Sequence, residues 1–243
     1  MKSLFLALLS LTLVTPAATA QKTVRVFVAL CDNKTQGIQP VGAKIGDGDQ
    51  PDTNLYWGCD DGLGSYFRHS KDWKHLETSS DLSPTVLRHR TFRHAREDVV
   101  LTADAYRGSA MQQCLEDFES AAASDQYDLV AFIGHNGLMD FALPERPPVP
   151  AHHTAAIVLC CISNHYFGPR LERIGCQPLL LTQQLMYPGS FILHDVLNVW
   201  LKGGTPVEAR DAAGRAYSKN QKISVRAATG VFAPPPPLPE KHP

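Results

Sequence analysis

Two stretches decide the fold: Asp128–Asp140, DLVAFIGHNGLMD, and Ala155–Phe167, AAIVLCCISNHYF. Each opens as a short apolar run with the length and β-branched content of a buried parallel strand. Each then ends abruptly in reactive side chains followed by polar or glycine turn residues. The first run delivers His135 and the second delivers Cys160 and Cys161. In an open α/β sheet the carboxyl ends of neighbouring strands border the crevice where ligands bind, so these side chains are expected to meet there.

Working outward, Val24–Leu30 carries apolar residues on both faces and reads as a central strand ending at Cys31-Asp32-Asn33. Lys34–Asn54 is a long irregular segment rich in Gly, Pro and Asp. Its Asp47-Gly48-Asp49 run lacks the continuation of a calcium loop and reads as a solvated turn. The spacing of Leu63, Tyr66, Phe67, Trp73 and Leu76 predicts a first crossover helix. Thr85–Phe92, with its Arg and His residues, suits an edge strand, and Asp98–Ala105 a further strand. Met111, Cys114, Leu115, Phe118, Ala121 and Ala122 form one helical stripe. Beyond the two anchor strands come a short helix over Tyr166–Ile174, a strand over Gln177–Thr182 and an apolar helix over Ser190–Leu201. Thr205-Pro206-Val207-Glu208 then combines N-cap, N1 proline and capping box at a last helix start. The alternation predicts one α/β domain with a mainly parallel sheet and helices on both faces.

Lys2, the apolar run Leu4–Val14 and the Ala18-Thr19-Ala20 triplet read as a secretory signal over residues 1–20, with the product periplasmic or secreted. The domain is expected over 21–232, and the proline-rich tail 233–243 is expected to be extended and disordered. Without Lys2 the chain has 22 basic against 24 acidic residues, neither clustered, so nothing marks a nucleic-acid partner. No later apolar run is long enough for membrane insertion. Six cysteines in a chain of this length are too sparse for a disulfide scaffold.

A strand ending in His-x-Gly at Phe132–Gly137, and the next ending in Cys at Val158–Ser163, resembles the caspase-like cysteine peptidases, the superfamily of caspases, gingipains, clostripain and legumain. The resemblance covers the strand–helix order from about Val24 to Tyr217. It implies a three-layer sandwich with a sheet of about six strands, a catalytic His135, a nucleophilic Cys161 and a peptide or protein substrate. Asn136 stands where that superfamily has Gly directly after His, and the caspase pentapeptide around the Cys is absent. The chain is also similar to a group of exported bacterial proteins sharing its NLYWG, GHNGLMD and QKI stretches (Asn54–Gly58, Gly134–Asp140, Gln221–Ile223), which brings no activity with it.

A thiol is a nucleophile only as thiolate, and a nearby imidazolium favours that form. Successive strand residues face opposite ways, so only one of Cys160 and Cys161 faces the crevice; position relative to the strand end favours Cys161. The backbone N–H groups of Asn136 and Gly137 are candidate oxyanion donors. Asp32, Asp104 and Tyr106 are expected at the same sheet edge, there to orient His135 or bind substrate, and Trp57 is a candidate pocket wall. His69, His75, His89 and His94 read as solvated surface. No C-x-x-C or H-x-x-x-H spacing is present, so no metal or other cofactor is expected, and a zinc site built on His152, His153 and His165 with the cysteines is the weaker alternative. The reading is an exported cysteine hydrolase acting on peptides, against the alternative of a non-catalytic binding module on the same fold.

Overall fold

The computed structural model describes residues 20–235; the expected signal segment, apart from Ala20, and residues 236–243 of the tail lie outside them. Seven strands form one sheet: β1 (Lys22–Ala29), β2 (Trp73–Ser80), β3 (Val86–His94), β4 (Val99–Tyr106), β5 (Leu129–Ile133), β6 (Ala155–Leu159) and β7 (Gln177–Leu180). Their order across the sheet is β2-β3-β4-β1-β5-β6-β7. The pairings β4–β1, β1–β5, β5–β6 and β6–β7 are parallel, while β2–β3 and β3–β4 are antiparallel. The sheet is thus mostly parallel, with one strand more than expected and a mixed end.

The helices are α1 (Leu63–His69), α2 (Met111–Ala122), α3 (Ser163–Arg173), α4 (Ser190–Trp200), α5 (Pro206–Gln221) and α6 (Val225–Thr229). They divide between the faces, as the alternating pleat of doubly buried strands requires. Val24, Val26, Val28, Leu129, Ala131, Ile133, Ile157 and Leu159 pack with α1, α4, α5 and α6. Phe27, Ala29, Val130, Phe132, Ala156 and Val158 pack with α2 and α3 on the other side. The start of α5 is as the sequence predicts: Thr205 accepts from the Glu208 N–H, and Glu208 reaches back to the Thr205 N–H.

Two expectations are corrected. The helix expected over Leu63–Leu76 ends at His69, because Ser70–Asp72 turn the chain and Trp73 begins a strand. Trp73 joins the core while Leu76 is 57 % exposed, so an apolar spacing that looked helical runs across two elements. The segment expected at the sheet edge, β3, is internal, and β2 covers it.

Strand β1 is the centre of the molecule. The chain leaves it through the β2–β3 hairpin to reach β4 on one side, then passes through α2 to β5 on the other. The strand order therefore reverses at β1, with the carboxyl ends of β1, β5 and β6 side by side at that switch.

Candidate active site

Ile133 of β5 is paired with Leu159 of β6. His135 and Cys161 each lie two residues further along, so they come level at the carboxyl end of the sheet. The two turns are tied together: the Gly134 N–H donates to the Leu159 carbonyl (3.3 Å) and Asn136 Nδ2 donates to the Cys161 carbonyl (2.7 Å). Cys160 points the other way, fully buried with Val158, Phe132 and Phe167, and burial drives its thiol well above the ordinary range. Cys161 is partly exposed. All six cysteines carry free thiols.

His135 is 8 % exposed, and its Nε2 stands 2.8 Å from Asp140 Oδ2. A carboxylate only accepts, so Nε2 carries the proton and Nδ1 is left as the basic nitrogen. Asp140 Oδ2 also accepts the Gly37 N–H (2.9 Å), which fixes the carboxylate from the long loop after β1. A Cβ on residue 37 would stand 2.3 Å from Asp140 Oδ1, so only glycine permits this approach. Among the described residues His135 and Cys161 make no hydrogen bond to each other. The Cys161 sulfur instead accepts the Met186 N–H (3.4 Å), and its thiol faces the Met186 carbonyl (3.7 Å).

Behind this pair Tyr56 is buried beside two thiols. Burial first, then the adjacent Cys31 and Cys161, push its phenol well above its ordinary value. Cys31 is likewise raised by burial, to about 11.

The backbone adds a second feature. The Cys160 carbonyl is held by the Thr182 hydroxyl and the His135 carbonyl by the Gly137 N–H (3.0 Å). In both peptides the opposite end, the N–H of Cys161 and of Asn136, has no acceptor among the described residues. Free N–H groups flanking a nucleophile are what oxyanion stabilisation requires. The expected Gly137 donor is spent within its own turn, and Gly137 packs against Met111 and Phe141 instead. The α3 N-terminus is spent too: the Ser163 and Asn164 N–H groups bond Thr182 Oγ1 (3.0 Å) and Thr182 O (2.8 Å). Ile162, directly after Cys161, adopts φ 52°, ψ 35°, a left-handed conformation unfavourable for a β-branched residue. Backbone strain of this kind gathers at functional turns.

The other expected site residues have different employment. Asp32 closes its own turn, accepting the Lys34 N–H (3.0 Å) and the Thr35 hydroxyl (2.6 Å). Asp104 pairs with Arg25 and with His89 (2.6 Å) rather than with His135, and Tyr106 donates to Asp117 on α2 (2.8 Å). Trp57 is fully buried in the core, with the Arg90 guanidinium 5.5 Å over its ring. His89 is therefore held against Asp104, and His94 is buried with its Nδ1 accepting the Glu97 N–H (3.0 Å); neither is solvated surface. His152 and His153 stand at the amino end of β6 beside Asp125, away from Cys161. Among the described residues no group of three or more His, Cys, Asp or Glu side chains is placed to hold a metal ion, and no helix is long and apolar enough to cross a membrane.

Comparison of the chain with protein-family models, with curated proteins and with solved structures returned no match.

Proposed function

We propose that the protein is a cysteine hydrolase of caspase-like type, exported after loss of residues 1–20, that cleaves peptide substrates with Cys161 as nucleophile and His135 as general acid and base. The observation that carries this reading is the level placement of His135 and Cys161 at the ends of adjacent parallel strands, beside the switch point, with Asp140 orienting the imidazole. In the reaction the Cys161 sulfur attacks the acyl carbon and its proton passes to Nδ1 of His135. The imidazolium, stabilised by Asp140, then protonates the leaving amine. The developing oxyanion lies against the N–H groups of Cys161 and Asn136, and water hydrolyses the thioester with His135 as base.

One observation favours the alternative, a binding module without turnover: the sulfur is bonded to Met186 and not to His135. Iodoacetamide labelling without reductant, followed by peptide mapping, separates the two. The hydrolase reading expects Cys161 to label fast below pH 8, to slow at least tenfold in His135→Ala, and to be protected by cleavable peptides. Slow labelling indifferent to His135 sinks it.

A further inference from the structure

One side chain joins the two turns that carry the candidate pair. Asn136 is fully buried. Its Nδ2 donates to the Cys161 carbonyl (2.7 Å) and its Oδ1 accepts the Leu138 N–H (3.1 Å), so neither end of the amide is idle. The peptide between Cys161 and Ile162 is held at both ends, its carbonyl by Asn136 and its N–H by the Gln184 carbonyl (3.1 Å). That is the peptide leading into the left-handed conformation of Ile162. A β-branched residue leaves this region unless its surroundings over-determine it.

We infer that Asn136 is a positioning residue, a crosspiece that locks the Cys161–Ile162 peptide and so sets where the sulfur and the Cys161 N–H stand relative to His135. The inference rests on the reading of Cys161 and His135 as a working pair. It also gives a physical reason for an asparagine directly after the histidine. Aspartate has the same shape but turns an oxygen toward the Cys161 carbonyl, alanine offers no donor, and glutamine is a methylene too long for a fully buried slot. Only the asparagine amide both donates across to one turn and accepts within the other.

The test is the rate of Cys161 alkylation by iodoacetamide from pH 5.5 to 9 in wild type, His135→Ala, Asn136→Asp and Asn136→Ala, each checked for native circular dichroism. Asn136 variants that fold are expected to lose about tenfold or more in rate near pH 7, because a displaced imidazole no longer favours the thiolate that reacts with iodoacetamide. Their rate–pH profiles are expected to move toward that of His135→Ala, a change that a merely structural role would not produce. If wild-type Cys161 depends on His135 and the Asn136 variants match wild type, the crosspiece role is overturned and the pair survives. If wild-type Cys161 is indifferent to His135, both readings fall. Should neither Asn136 variant fold, the wild-type side-chain amide decides by NMR: slow exchange and a shift on Cys161 alkylation support the role, and fast exchange overturns it.

Discussion

At the residue scale the site depends on a single shared oxygen. Asp140 Oδ2 holds both the His135 imidazole and the Gly37 N–H, so its loss frees the imidazole to rotate and releases the loop after β1 together. Asp140→Ala is expected to slow Cys161 alkylation near pH 7 by tenfold or more. Gly37→Ala, in which a Cβ collides with the carboxylate, is expected to do the same without removing any ionisable group. Equal rates in all three proteins would show that the imidazole needs no orienting partner. His135 and Cys161 were legible because strand periodicity says where a strand ends and which parity faces which layer. Asp140 was not, although it lies within the quoted stretch, because a turn has no period from which to read direction. The Asn136 N–H was expected from its place directly after the histidine, but the N–H groups of Met186 and Cys161 leave no trace in a sequence, since every non-proline residue has one. Asp32, Asp104 and Tyr106 show the converse error. Placing an acid near a strand end does not say whether its partners lie in the crevice or, as for Asp104 with Arg25 and His89, on the strand faces.

At the element scale the turn from β6 into α3 stores strain where the sulfur is presented. Ile162 holds φ 52° without the freedom of glycine, at a cost of roughly 1–2 kcal/mol. Ile162→Gly removes that cost but adds unfolded-state entropy, so the variant is expected to be more stable in urea by roughly 0.5–1 kcal/mol and slower in Cys161 alkylation as the turn relaxes. Unchanged or reduced stability would mean that the side chain of Ile162 contributes more in packing than its backbone costs. Elements differed in how far they could be read. The capping box at Thr205 and Glu208 is a local signal and formed where expected. Strand β2 was missed because Trp73 and Leu76 continue the spacing of Leu63, Tyr66 and Phe67, although a turn at Ser70–Asp72 separates them and, of Trp73 and Leu76, only Trp73 is buried. In an antiparallel extension with β2 mostly open to solvent, the alternation that marks a half-buried strand is weak, and the helical pattern prevails by default.

At the scale of the whole molecule, the buried thiols set a limit on the alkaline side. Burial raises Cys31 to about 11 and Cys176 to about 12, and pushes Cys114 and Cys160 well above the ordinary thiol value. Each is therefore protonated in the folded state over a range in which the unfolded chain, with thiols near ~8.5, has lost its proton. The folded protein binds more protons than the unfolded one there, so stability is full below about pH 8.5 and falls as pH climbs toward 11. Each thiol wholly out of water contributes a slope of about 1.4 kcal/mol per pH unit within its window. Urea denaturation between pH 7 and 10.5 is expected to show a flat region followed by a steep decline, shallower when Cys176 is replaced by Ala and the slopes alone are compared. The same burial predicts a labelling order: in the native state Cys161 reacts first. Cys59, raised by burial and then by Asp60 and Asp61 yet partly exposed, reacts more slowly. Cys31, Cys114, Cys160 and Cys176 become available only on unfolding. Native labelling of any of those four ahead of Cys161 would show that the crevice opens more readily than the core around β1 allows, and would remove the basis for assigning reactivity to a single cysteine.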